Sequence, residues 1–163
     1  MKRIKLSARL KALADLIEDG ASIVDVGSDH GYLPVYLAQK GRSTQVFASD
    51  ISAASLSAAH RSAKLYNVTE AINFFVTPGL DGIGPTDVDT IVIAGMGGKT
   101  IVSILQDATW TNCASISLIL QPQSKRNILF RYLYDNSYEI VKVIPVADNG
   151  RHYTIIQAVG KHL

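Results

Sequence analysis

The spacing of apolar positions changes repeatedly along the chain, and the changes mark out its elements. Leu6, Leu10, Leu13 and Ile17 stand at i, i+4, i+7 and i+11, one face of a helix over 6–19 that Ser7 can cap and Gly20 can end. Ser22 to Val26 (SIVDV) is a short β-branched run of the length of a buried parallel strand. From Tyr32 the helical period returns through Leu33, Tyr36 and Leu37, and Pro34 falls in the first turn, where a missing amide donor costs little. Thr44 to Ala48 predicts a second strand that ends on Ser49 and Asp50, and Ile51 onward predicts a long alanine- and serine-rich helix. Ala71 to Val76 reads as a third strand before the turn Thr77-Pro78-Gly79-Leu80-Asp81, and Asp87 to Ala94 as a fourth before the turn Gly95-Met96-Gly97-Gly98. A helix over Lys99 to Asp107, a strand over Ile116 to Leu120 and a helix over Ser124 to Asn136 follow. Tyr138 to Val146 and His152 to Val159 are extended runs joined by Asp148-Asn149-Gly150, a hairpin signal. Five strand and helix alternations closed by a hairpin predict an α/β protein: one doubly wound, seven-stranded, mostly parallel sheet with an antiparallel C-terminal hairpin.

Composition narrows the picture modestly. The 163 residues, 47% hydrophobic and 18% charged, suit one domain with a sizeable core. A net charge of +2 announces no polyanionic partner by itself, although Lys2, Arg3, Lys5, Arg9 and Lys11 crowd the first eleven residues without an acid. Cys113 is the only cysteine, so neither an internal disulfide nor a cysteine metal cluster is possible. No apolar run reaches membrane-spanning length and no signal-peptide core is present, so a cytoplasmic location without membrane association is expected.

In doubly wound sheets the ligand lies over the carboxyl ends of the strands. Those ends are Asp25 to Gly31, Asp50, Thr77 to Leu80, Gly95 to Gly98 and Gln121-Pro122. A dinucleotide fingerprint would need a glycine two residues after Gly27, and that residue is Asp29. Carboxylates at Asp25 and Asp29 repel a diphosphate and suit a cationic or zwitterionic ligand, while Gly27 and Gly31 let the backbone and helix amides approach it. Asp50, about twenty residues beyond the glycine turn, can accept both hydroxyls of a ribose, and it can equally cap the helix behind it. Gly98-Lys99-Thr100 lacks the upstream glycine of a phosphate loop, since position 93 is Ile93. His30 beside Asp29 has no third ligand at a recognisable spacing, and no metal is expected.

Asp25-x-Gly27-x-x-x-Gly31 resembles the first motif of the S-adenosylmethionine-dependent methyltransferases. Longer strings sharpen the resemblance: Leu6-Ser7-x-Arg9-Leu10, Asp25 to Pro34 (DVGSDHGYLP), Ile93 to Gly98 (IAGMGG), Leu118 to Pro122 (LILQP) and Gly150-Arg151-His152-Tyr153 are similar to the bacterial TrmK family, in order and along nearly the whole chain. These are tRNA adenine-N1-methyltransferases that modify an adenosine of the D arm. The resemblance implies S-adenosyl-L-methionine as donor, tRNA as partner and a Rossmann-like class I methyltransferase domain. It further implies a helical, coiled-coil-like extension; the chain stops at Leu163, so a single domain over 1–163 is expected with that extension absent. The family's usual Gly-Asn-Gly-Leu after the third strand is here Thr77-Pro78-Gly79-Leu80, which removes a side-chain amide from the adenine edge of the cofactor.

On this reading the cofactor falls to Asp25, Gly27, Ser28, His30, Gly31, Asp50, Ile51, Thr77, Gly79, Leu80, Ala94 and Gly95. The acceptor falls to Tyr32, Met96, Gly97, Gly98, Gln121, Pro122, Lys5 and Arg9. Gly95 to Gly98 leave room for a flat base, Met96 and Tyr32 pack on its face, and Gln121 offers a donor and acceptor pair to an adenine edge. Lys125, Arg126 and Arg131 join Lys5 and Arg9 as candidates for phosphate contacts. Adenine N1 carries an in-plane lone pair and needs no deprotonation before it attacks a sulfonium methyl. Asp29 is the candidate catalytic residue, either by offering negative potential to the methylated, cationic base or by holding the cofactor's amino group. Two other classes remain open, a methyltransferase for a small molecule or protein and a noncatalytic nucleoside- or RNA-binding module.

Overall fold

Each central strand sends alternate residues to opposite faces of one sheet, and the two faces collect separate cores. Ile23, Val92, Ile119 and Ile155 belong to one cluster, whereas Val24, Val26, Ile91, Ile93, Leu118, Leu120 and Ile156 belong to the other. The computed structural model describes residues 1–163. Helices α1 (Ala8–Asp15), α2 (Tyr32–Lys40) and α3 (Ala53–Leu65) cover the first face, and α4 (Gly98–Asp107) and α5 (Arg126–Asp135) the second. Between them lie β1 (Ser22–Val26), β2 (Gln45–Asp50), β3 (Asn73–Val76), β4 (Thr90–Gly97), β5 (Ser117–Ser124), β6 (Glu139–Asp148) and β7 (Arg151–Val159).

The order is β3-β2-β1-β4-β5-β7-β6, with the first five strands parallel and β7 antiparallel to both β5 and β6. Strand order reverses between β1 and β4, so their carboxyl ends open the crevice of a doubly wound sheet. The hairpin turns on Asn149 and Gly150, both at positive φ (49° and 76°), the two-residue geometry that suits twisted strands.

Several boundaries differ from the expectation. The first helix covers Ala8–Asp15, not 6–19: Ser7 caps it by accepting from the Leu10 amide, and Leu16 closes it before Gly20. Ser52, not Asp50, caps α3. Residues Thr69–Ala71 form a 3-10 turn, which delays the third strand to Asn73. The largest difference is at the crevice. Instead of ending at Ala94 and Leu120, β4 and β5 run on to Gly97 and Ser124, pairing Met96 with Pro122 and Gly97 with Ser124 through two register shifts.

Gly31 serves packing between helices. It takes φ +70°, and a Cβ there would lie 2.7 Å from Ala59 Cβ and 2.9 Å from Ala59 Cα on α3. We expect Gly31→Ala to cost about 2 kcal/mol or more, from backbone strain plus overpacking. A urea midpoint equal to that of the wild type would refute this account of the α2–α3 approach.

Candidate active site

The turn after β1 spends its amides internally. The Gly27 and Ser28 N–H groups donate to the Ser49 carbonyl at 2.8 and 3.0 Å, Gly31 N–H donates to the Ser28 carbonyl at 2.8 Å, and Asp29 N–H donates to Asp50 Oδ2 at 3.2 Å. The four turn amides are thus occupied within the protein. No nest for a diphosphate remains among these four groups. Asp29 takes a left-handed backbone (φ 50°) that exposes its carboxylate, and Asp50 both fixes it and receives the Ser52 N–H on Oδ1 at 2.9 Å.

Two cavities abut at this turn and share Gly27, Asp29, Ala94 and Gly95. The larger, about 780 Å³, opens between β1, β2, the Thr77–Ile83 loop and α4. Asp29, Asp50, Asp81 and Asp107 line it and no lysine, arginine or histidine does. Ile51, Leu80, Ile104 and Trp110 give it apolar walls. That combination fits an adenosyl group carrying a sulfonium and an amino acid end, and it disfavours a phosphorylated nucleotide. Of the expected cofactor residues, Gly27, Asp50, Ile51, Thr77, Gly79, Leu80, Ala94 and Gly95 line this cavity. Thr77 Oγ1 is already engaged with the Asp81 carbonyl at 3.0 Å.

The smaller cavity, about 520 Å³, lies on the α1 side of β1. Asp25, Ser28 and His30 face it instead of the larger one, together with Lys5, Arg9 and Tyr32. Asp25 alternates with Val24 and Val26 and therefore points to the α1 face; it is 7% exposed, and Ser28 Oγ lies 3.1 Å from its Oδ2. Burial pushes its carboxyl up to about 7, against the hydrogen bond from Ser28 and the charge of Arg9, with Asp50 adding to the rise. His30 is exposed and stacks on Tyr32, ring centroids 5.4 Å apart and planes 16° from parallel.

Four expected acceptor residues have other work. Gln121 is fully buried and its polar atoms are paired: Oε1 accepts from Arg9 Nη1 at 2.9 Å and from the Gly95 N–H at 3.1 Å, while Nε2 donates to the Pro122 carbonyl and to Gln123 Oε1. It holds the β4 loop and Arg9, and has no free edge for a base. Gly97 and Gly98 admit the Ser124–Lys125 turn, whose Lys125 carbonyl a Cβ on Gly98 would strike. Pro122 is buried behind the cavities, under a separate basic hollow. Met96 does reach the larger cavity, but its Cε sits over Gly27, where any Cβ would collide with it.

Missed from the sequence were Thr100, Ser103 and Asp107, the face that α4 turns to the larger cavity. Their spacing is visible in the sequence but is indistinguishable from a solvated helix face. Arg9 on Tyr153, 5.6 Å from the guanidinium to the ring centroid, ties α1 to the hairpin, as does Arg9 N–H donating to Asp148 Oδ2 at 3.0 Å.

Comparison with known proteins agrees with this geometry. A model described as a methyltransferase domain matches residues 6–156. The chain is 31% identical over 158 residues to the tRNA (adenine(22)-N(1))-methyltransferase of Bacillus subtilis, covering 97% of this chain and 66% of that protein. The chain thus spans about two thirds of that relative's length. The crystal structure of the B. subtilis tRNA methyltransferase TrmK superposes with a TM-score of 0.89 at 30% identity, over 98% of this chain and 68% of the other. A putative tRNA (m1A22) methyltransferase of Streptococcus pneumoniae, solved with S-adenosyl-L-methionine, gives a TM-score of 0.89 at 31% identity, over 98% of this chain and 75% of the other.

Proposed function

The chain belongs to the TrmK family of methyltransferases, and from that premise we propose that it moves a methyl group from S-adenosyl-L-methionine to N1 of an adenine in tRNA. The observation that carries this reading is the separation of charge between the two cavities. The larger has four carboxylates and no basic side chain, which suits the cationic donor. The smaller, of mixed charge because Asp25 and Asp29 also line it, brings Lys5, Arg9 and the exposed His30–Tyr32 pair to the same shared wall, which suits a base on a polyanionic strand. The acceptor named for the Bacillus relative, adenine 22 of tRNA, is the acceptor of this proposal.

Bound in the larger cavity, S-adenosylmethionine supplies an electrophilic methyl carbon and an excellent leaving group. Asp50 would hold its ribose hydroxyls through the carboxylate oxygens, and the apolar wall of Ile51, Leu80 and Ile104 would take its adenine. Because adenine N1 attacks with its own lone pair, the protein's task is alignment, worth about 7 kcal/mol or more, and compensation of the positive charge the ring acquires. Asp29 stands on the wall common to both cavities and supplies that compensation. Tyr32 and His30 give the base an aromatic face, and drawing it out of a stem costs a few kcal/mol. Residues 1–163 act together, since α1 lends Arg9 to the acceptor side.

The test is methyl transfer from labelled donor to an unmodified tRNA transcript, with the product nucleoside identified by mass spectrometry. We expect 1-methyladenosine. Label appearing in a different nucleoside, or only in protein or small molecules, would sink the acceptor assignment.

A further inference from the structure

We propose that the basic hollow between the β5–α5 turn and the β6–β7 hairpin binds the phosphodiester backbone of the RNA strand flanking the acceptor adenosine, an inference that rests on the RNA methyltransferase reading above. The hollow measures about 510 Å³ and gathers Lys125, Arg126, Arg151 and His152. No aspartate or glutamate lines it. Lys11 is paired with Asp15 and Arg42 with Asp19, whereas none of Lys125, Arg126 and Arg151 has a carboxylate within 4.0 Å. Unneutralised cations gathered around a polar concavity suit an anion that brings its own charge and oxygen acceptors.

Position narrows the choice of anion. Gln123 lines both this hollow and the smaller cavity, and Arg9, which also lines that cavity, lies over the ring of Tyr153 at the hollow's other edge. The surface therefore runs continuously from the carboxylate-lined cavity, through the cavity of mixed charge with its exposed aromatic pair, to a floor without acids. An RNA strand has this arrangement: a base to bury and stack, and phosphates next to it to neutralise. An acidic protein segment supplies the charge but nothing for the cavity between.

The hollow is also held in shape. Arg126 Nη1 donates to Thr154 Oγ1 at 3.1 Å, which anchors the guanidinium across two elements and leaves its other N–H groups unclaimed by carboxylates. Lys125 takes a left-handed backbone (φ 52°), and its carbonyl lies against Gly98. Gly98 thus links the glycine-rich loop beside the donor cavity to the floor that would grip the strand.

Arg151→Ala and the double variant Arg126→Ala/Arg151→Ala, in the full chain, test the site by calorimetry with S-adenosylmethionine and by tRNA binding and methylation across a salt series. Arg151 is exposed on the hairpin and makes no hydrogen bond through its side chain, so the single variant guards against a folding defect in the double. We expect unchanged affinity for S-adenosylmethionine and a KM for tRNA raised about tenfold in the double variant, with kcat near wild type. The log–log salt slope should become shallower by about one for each phosphate that the variant no longer neutralises. Wild type and variants that bind tRNA alike, with equal salt slopes, would overturn the site while leaving the acceptor reading standing. A wild-type chain that binds S-adenosylmethionine but no tRNA would overturn that reading and the site with it. Displacement by poly-glutamate as effective as that by unmodified tRNA would replace the nucleic acid with an acidic protein partner.

Discussion

Asp50→Ala is expected to weaken S-adenosylmethionine binding about a hundredfold. In the proposed complex Asp50 offers two carboxylate oxygens to the ribose, and hydrogen bonds to a charged acceptor contribute roughly 1.5–3 kcal/mol each. Loss of about 3 kcal/mol corresponds to that factor. The same oxygens also hold the turn, through Ser52 N–H at 2.9 Å and Asp29 N–H at 3.2 Å, so the truncation frees Asp29 from its left-handed conformation as well. Asp81→Asn is the matched control: it removes a charge from the same cavity without touching the turn, and we expect a loss of threefold or less. Calorimetry on both variants checks the claim. An Asp50→Ala protein that binds within threefold of wild type would show that the ribose lies elsewhere.

The second large effect concerns Asp25 and pH. Its ordinary value is 3.8, and burial in the fold raises it to about 7. Between those values the folded protein keeps a proton that the unfolded chain has released. Stability from this group is therefore complete below about pH 4 and falls as pH rises, by roughly 1.4 kcal/mol per pH unit, levelling off above about pH 7. Asp25→Asn removes the titration and keeps the shape. We expect the variant to gain stability over wild type as pH is raised from 5 to 8 and to show a flatter profile. Parallel profiles for the two proteins in urea melts across that range would place the buried proton on another group.

How legible was this in the sequence? The strand, glycine turn and helix from Ser22 to Lys40, the alternation behind the doubly wound sheet and the Asn149-Gly150 hairpin all follow local rules of period and turn chemistry, and the structure bears them out. The crevice was harder. Glycine and proline interrupt any strand pattern, so Gly95 to Gly97 and Pro122 read as turns, although their register-shifted pairing carries both strands past the cavity. Gln121 looked free because its partner Arg9 lies 112 residues away on α1. Asp25 lines the smaller cavity, and spacing along a strand does not say which side of a crevice a carboxylate faces. Gly31, Gly97 and Gly98 also admit close protein contacts, with Ala59, Ser124 and the Lys125 carbonyl, that lie too far along the chain for spacing to reveal.

The central claim is that the carboxylate-lined cavity takes a phosphate-free, positively charged adenosyl donor. Titration of the wild-type chain with S-adenosylmethionine, alongside ATP and NADH, tests it most directly. Micromolar binding of S-adenosylmethionine with no detectable heat from the two phosphorylated nucleotides is the predicted result. Saturable binding of ATP or NADH together with none of S-adenosylmethionine would contradict it.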